Sequence, residues 1–441
     1  MRNHITKPNP ITLDVLVLLI VTPAAIQGQD AFIIVFALLA YLLLGLWLPL
    51  AQNPNDSTKQ NRFSFIFRYT IILILATSAV VSPTLLNIYE RIVTPIEADG
   101  YSPAYLDLSD SAMQTELALD YLAEGKNPYV ERYEETPLRF YQWVNPGLED
   151  WQDPAYDYFV YLPGTILLSL PFYKLIPAFN IAYDQRIVYL LAYILLLLIL
   201  PHLVKPPAYK LALVAAVGLN PLFTEPVMLG MNDVAPFLAL VISILALTHR
   251  KFLWAALFMG IACALKQYAW FIGPFYILYV WEQSPADKKT RNFLLTGGIV
   301  ATILILTSLP FLLWDPIAFY TDTLAFPAGR AELLYPIRGF TVGRLLMGAG
   351  IIPTFVSPFP FQLLQLILGL PILLLLLRFQ YRRDLGTMLL CAAIFIFVFG
   401  IFSRFFHHNY VGIVITLAAL GIMLSFADRE NVHLQLDSAG Q

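Results

Sequence analysis

Two aspartates, Asp107 and Asp110, stand just ahead of Ser111-Ala112-Met113-Gln114 in the first long polar stretch of the sequence. Ser111 followed three residues later by Gln114 reads as a capping box that opens a helix, and Gly125 marks its end. Asp110 then falls at the helix N-terminus, where the dipole keeps a carboxylate charged. A carboxylate held this way can orient and polarise an acceptor hydroxyl, or it can be no more than a cap. Cations recur downstream: Arg330, Arg338 and Arg344 in one polar stretch, Arg404, His407 and His408 in another. Guanidinium groups grip phosphate through paired hydrogen bonds, so these positions suit a phosphate-bearing ligand; the alternative is pairing with the acidic first stretch. Lys266 interrupts an apolar run, where an ammonium is expensive and points to function, unless it snorkels from a helix end. Asn232 and Asp233 close the turn Gly230-Met231-Asn232-Asp233, in which Asp233 reads first as an N-cap. With Gln114 and His408 they are candidates for sugar or acceptor contact. The His407-His408 pair has no companions at metal-ligand spacing, so neither a metal nor a cofactor is expected.

The elements that must position these residues are membrane helices. The chain has 441 residues, 58% apolar, with mean hydropathy +0.68. Its apolar residues come in runs near the roughly 20 needed to cross a bilayer. The expectation is an all-α polytopic membrane protein with about twelve spans, near 11–27, 30–50, 66–86, 185–201, 208–227, 233–249, 252–266, 267–281, 292–313, 358–378, 385–402 and 409–426. The first run could also be read as a signal peptide, but a helical hairpin fits better because a second span follows at once. Cys263 and Cys391 both lie in apolar segments and read as core residues.

Basic clusters at Arg2/Lys7, Lys59/Arg62/Arg68, Lys205/Lys210, His249-Arg250-Lys251, Lys288/Lys289/Arg291 and Arg378/Arg382/Arg383 are assigned to the cytoplasm by the positive-inside rule. This holds if Tyr158–Ala178, broken by Pro163, Pro171 and Pro177, does not cross. The stretches 87–184 and 314–357 and the turn Arg404–Asn409 then share the outer face. The first stretch is acidic: between Asn87 and Asp157 lie fifteen of the thirty Asp and Glu but four of the twenty-seven Lys and Arg. Met113, Leu117, Tyr121 and Leu122 form a stripe that lays the helix after Asp110 on the membrane surface, and the Tyr and Trp residues around it suit an interfacial belt. The organisation expected is an N-terminal hairpin and cytoplasmic loop (1–64), a transmembrane core (65–426) and a cytoplasmic tail (427–441). There is no P-loop or glycine-rich nucleotide loop and no inside loop large enough for a nucleotide-binding domain, so an activated donor should be lipid-linked. Nucleic acid is not an expected partner.

Asp110, Gly125-Lys126-Asn127-Pro128-Tyr129, Tyr161-Leu162-Pro163-Gly164, Gly230-Met231-Asn232-Asp233 and Gly260 through Gln267 follow one another in an order that resembles the GT-C glycosyltransferases. Within them the sequence is similar to the branch that includes actinobacterial mannosyltransferases using polyprenyl-phosphate mannose, from about Phe65 to the C-terminus. The resemblance implies a GT-C-like fold with a large first outer loop containing juxtamembrane helices, in the plasma membrane, its active site facing the extracytoplasmic side. It implies an aspartate of that loop as the base: Asp110 matches best, with Asp107 as alternate. A hexose such as mannose would pass with inversion from a polyprenyl-phosphate donor to a lipid or glycan acceptor. Lys266, Arg338, Arg404 and His407, with Arg330 and Arg344, would hold the donor phosphate. The sequence departs from that pattern in two extra leading spans and in Met231, where related sequences tend to carry Gln. The competing function is a transporter or flippase of a lipid-linked glycan, which would show internal repeats and midplane charge; Asp14 is one such charge.

Overall fold

In a computed structural model the chain is overwhelmingly helical, and the structure describes residues 12–25, 31–47, 50, 59–97, 102–140 and 154–439. The Arg2/Lys7 cluster and residues 141–153 of the first polar stretch lie outside the described residues. Five described helices are long and apolar enough to cross a bilayer: Asn61–Val93, Gln185–His202, Ala286–Trp314, Phe361–Gln380 and His408–Arg429. Pro207–Gly218 and Pro221–Leu229, bent by 51° at their junction, make a sixth if taken together. Five shorter apolar helices, Val234–Thr248, Phe252–Leu265 and Leu385–Ile401 among them, bring the described apolar helices to eleven, one fewer than the twelve spans expected.

The departures from straight spans have local causes. Pro83 lacks the N–H that would continue the i→i−4 ladder, and just ahead of it the helix Asn61–Val93 widens into a π turn at Thr77–Val81. The bend after Gly218 is a helix restart: the Asn220 side chain accepts from the Leu222 N–H at 3.2 Å, with Pro221 next in line. Phe252–Leu265 stops because Lys266 is fully extended, and a 3-10 turn, Gln267–Ile272, leads into Gly273–Gln283. Tyr158–Ala178 holds the 13-residue helix Pro163–Leu175 and the start of a 3-10 turn. The last helix runs unbroken from His408 to Ala439, so the tail drawn at 427 continues it rather than beginning a separate segment.

Near the chain start, Arg68 donates to Asp14 at 3.0 Å and the Tyr41 hydroxyl donates to the same carboxylate oxygen; all three are buried. Arg68, assigned above with Lys59 and Arg62 to a cytoplasmic cluster, is an interior residue tying the first three helices together. The surrounding core is apolar, with Leu18, Ile34 and Ile72 at its centre.

The first long polar stretch folds into a small domain with its own core, built of Leu108, Ala112, Met113, Leu119, Tyr129, Tyr133, Phe159 and Ile166 and closed by Phe311 and Phe319. This corrects two expectations. The helix Asp110–Ala123 is buried along most of its length rather than laid on the membrane, because Ala112, Met113, Ala118 and Leu119 all face inward. The aromatics also pack on each other, not only at an interface: the Tyr129 ring meets Phe159, Phe311 and Phe319 edge-on at 5.1–5.5 Å.

A buried ionic network fastens this domain to the bundle. Arg91 donates to both Glu116 oxygens, at 2.9 and 2.5 Å, and to Asp184 at 2.9 Å. Arg186 donates to Asp184 and to the Asp107 carbonyl, the latter at 2.9 Å. Burial raises the Glu116 carboxyl even against the Arg91 charge. Burial also opposes the Asp184 charge, but hydrogen bonds and charge from Arg186, with Arg91 behind them, hold that carboxyl below its usual range.

Candidate functional site

The breaks in the helices meet at one end of the bundle. Lys266, freed by its extended backbone, donates to Asp233 Oδ1 at 2.6 Å and to Asn232 Oδ1 at 2.7 Å. Asn409 donates to the other Asp233 oxygen at 2.8 Å, and the Tyr268 hydroxyl donates to the Asp233 carbonyl at 3.2 Å. The Lys266 ammonium also stands 5.2 Å from the centre of the Tyr410 ring. All four polar side chains are buried. Asp233 is therefore an ion-pair partner whose side chain caps no helix, in place of the N-cap expected. The Asn232 amide nitrogen is buried with no hydrogen-bond partner, a polar group held ready for an acceptor oxygen.

Lys266 is set there by close backbone packing. A Cβ on Gly164 would come within 2.3 Å of the Ala264 carbonyl oxygen, so only glycine lets the helix starting at Pro163 approach the end of Phe252–Leu265. Thr165 then donates to the Leu265 carbonyl at 3.1 Å.

The first-loop aspartates reach this neighbourhood through a second close approach. The Ser109 N–H donates to the Leu229 carbonyl at 2.7 Å, and Gly230, at φ +80°, leaves room for Ala112 where a Cβ would come to 2.9 Å. The N-terminus of Asp110–Ala123 is thereby seated on the turn that carries Asn232 and Asp233. Its N-cap is Ser109, which accepts from the Ala112 N–H, not the expected Ser111. Asp110 is half-buried at the first helical position and accepts from the Ser111 N–H at 2.7 Å. Tyr161 lies near Ser111 and within electrostatic reach of Asp110, Tyr335 and Tyr410. Burial, with the Asp110 charge second, raises the Tyr161 hydroxyl well above its ordinary range, so it stays a protonated donor. Asp107 has an exposed side chain on the preceding 3-10 turn.

The stretch that holds Arg338 joins through a two-residue parallel bridge that sets Arg338 beside Phe405 and Gly339 beside Phe406. Gly339 has φ +76°, and a Cβ there would strike the Phe406 carbonyl. The bridge brings Arg338 within reach of His407, which also senses His408, Lys266 and Asp233. Burial first, then the Arg338 charge, depresses His407 to about 4. It is thus neutral at physiological pH. Its Nε2 faces the Tyr335 hydroxyl at 3.2 Å, so any contact with phosphate is a hydrogen bond and not a charge. The His408 Nε2 is buried without a hydrogen-bond partner.

Other candidates are placed elsewhere. The Arg404 guanidinium donates to the carbonyls of Tyr335, Phe355 and Ser357, a backbone strut that leaves it poorly disposed to grip a phosphate. Gln114 donates to the carbonyls of Ala155 and Tyr158 and braces the small domain from within, neither closing a capping box nor facing a ligand. Arg330 and Arg344 are exposed and make no ion pair among the described residues, so neither joins the cluster nor pairs with the acidic loop. Among the described residues no three of His, Cys, Asp and Glu gather as a metal site would require. Asn409, Tyr335 and Tyr410 were not singled out from the sequence. A polar pair, His408-Asn409, at the start of an apolar helix was the signal available for Asn409.

No curated protein matches the chain. The sequence model of glycosyltransferase family 87 matches residues 159–430, well over half of the 441. That span holds Asn232, Asp233, Lys266, Arg338, His407 and Asn409 and begins after Asp107 and Asp110. The chain belongs to glycosyltransferase family 87, and it is a multi-pass membrane glycosyltransferase of the GT-C type.

Proposed function

We propose that the protein transfers a hexose, such as mannose, from a polyprenyl-phosphate donor to a lipid or glycan acceptor at the extracytoplasmic face of the plasma membrane. The observation that carries this reading is the seating of the N-terminus of the Asp110 helix on the Gly230–Asp233 turn, whose Asn232 and Asp233 belong to the buried cluster with Lys266 and Asn409. In the transfer, the acceptor O–H bond breaks and its proton passes to the Asp110 carboxylate. The acceptor oxygen forms a bond to the sugar's anomeric carbon. The bond from that carbon to the phosphate oxygen breaks, and its electron pair leaves on the lipid phosphate. Lys266 and Arg338 counter the charge that develops there, with His407 as a neutral hydrogen-bonding partner. Asn232, Asp233 and His408 contact sugar or acceptor. Membership of a glycosyltransferase family favours this reading over the transporter one.

Asp110→Asn keeps the shape and the Ser111 contact but removes the base. Turnover of polyprenyl-phosphate mannose in proteoliposomes should fall by about two to four orders of magnitude, whereas Asp107→Asn should stay near wild type. Full turnover by a folded Asp110→Asn protein would refute the base; loss in Asp107→Asn alone would move the role to Asp107.

A further inference from the structure

A cavity of about 610 Å³ lies at the opposite end of the bundle from Lys266. It opens between the turn that precedes Phe252–Leu265 and the turn that precedes Lys289–Trp314. The first of these helices ends at Lys266, so the cavity and the polar cluster are separated by about 20 Å of helix. Its face is the one to which the basic clusters of the sequence are assigned.

Twelve residues line it; four, Arg250, Lys251, Lys288 and Arg291, are cationic and none is acidic. None of the four makes an ion pair among the described residues. Four like charges around one concavity, in a chain of net charge −3, repel one another until an anion enters. The inner wall is polar, with buried Asn292 fixed by its hydrogen bond to Ser284 at 2.9 Å and buried Thr296 one turn on. The rim is apolar and exposed: Leu253 and Trp254 are each 58% exposed and Leu295 is 41% exposed. A soluble anion would need the cations alone. A cationic pocket edged by an exposed tryptophan and leucines matches a phosphate headgroup with acyl chains attached.

We propose that this cleft binds the headgroup of an anionic phospholipid from the leaflet opposite the candidate transfer site, with the acyl chains running along Leu253, Trp254 and Leu295. The site does not depend on the transfer mechanism. It is tested by native mass spectrometry of the delipidated full-length protein titrated with phosphatidylglycerol, phosphatidylcholine or inorganic phosphate. The first phosphatidylglycerol should bind at least about tenfold more tightly than phosphatidylcholine. Arg250→Gln/Lys288→Gln, and more mildly Arg291→Gln, should erase that preference; all three positions are exposed, so the fold is not at stake. Arg378→Gln/Arg383→Gln removes two charges from the neighbouring helix end, outside the cavity, and should leave the preference intact. Equal loss in both double variants would mean diffuse surface charge and overturn the site. So would equal affinity for the two lipids, or displacement of the lipid by millimolar inorganic phosphate.

Discussion

Two buried acid–base pairs in this molecule are assembled from nearly the same parts. Asp14, Arg68 and Tyr41 form one; Asp233, Lys266 and Tyr410, with Asn232 and Asn409, form the other. Both charges are buried in each case. What differs is the backbone around them. The Asp14–Arg68 pair joins continuous helices and is enclosed by Leu, Ile and Val side chains. The Asp233–Lys266 pair stands where chains stop: at an extended residue, a tight turn after Gly230, and the start of the helix at His408. Interrupted backbone within a bundle is tolerated where it is buried in protein or lines a cavity, and there it leaves polar groups able to meet a ligand. The same ion pair therefore serves as a fastener in one place and belongs to a candidate site in the other.

That contrast can be broken most sharply at Lys266. Lys266→Met should lower sugar transfer by about two to three orders of magnitude, and Asp233→Leu/Lys266→Met should recover thermal stability without recovering turnover. Recovered turnover in the double variant would reduce both pairs to fasteners. At the other pair, Arg68→Met strands a buried carboxylate and should cost about 3–5 kcal/mol of stability, read as an early melting transition in detergent. Asp14→Leu/Arg68→Met should restore both stability and activity. A double variant that melts normally but no longer transfers sugar would end the distinction from the opposite side.

A smaller effect is expected from pH. Asp322 accepts from the Phe159 N–H at 2.8 Å and couples its own segment to the one that leads into the helix Pro163–Leu175; burial raises its carboxyl to about 8. Because that value lies above the ordinary 3.8 of the unfolded chain, the folded state holds the proton more tightly. Its contribution to stability is fully present below pH 3.8 and is lost as pH rises through about 8. The melting temperature should fall between pH 5 and 9, and Asp322→Asn should flatten that slope; an unchanged slope would place the titrating group elsewhere. The smallest change is Asn409→Ala, which leaves one Asp233 oxygen unpaired at a cost of about 1–3 kcal/mol. Its effect on turnover should stay well short of that of Lys266→Met.

The sequence made the membrane helices visible because crossing a bilayer demands long apolar runs, which few other structures need. Lys266 was visible for the converse reason, as a charge that such a run should not contain. Arg68 was misplaced because the positive-inside rule counts charges near span ends and cannot see that Asp14, 54 residues earlier, neutralises this one. Arg91, Glu116, Asp184 and Arg186 were overlooked for the same reason: each is unremarkable on its own, and only folding makes them one network. Arg404 looked like a phosphate ligand by its type, yet its guanidinium satisfies carbonyls of a loop that has no sheet or helix to satisfy them. The helix Asp110–Ala123 was foreseen, and its burial was not, since the residues that cover it come from as far away as Phe311 and Phe319.

The π turn at Thr77–Val81 bears on both ends of its helix. Twenty-three residues separate Arg68 from Arg91. At 3.6 residues per turn, an uninterrupted α-helix would point these two side chains about 140° apart around its axis. A π turn absorbs one extra residue, which reduces the offset to about 40°. One rigid helix can then present a guanidinium to Asp14 at its base and another to Glu116 and Asp184 near its tip. The wide turn is a phase correction: deleting one of its residues would leave a plain α-helix with the same offset of about 40°, whereas closing it to α-helical turns with every residue kept would rotate the upper half by about 100° and swing Arg91 away from Glu116 and Asp184.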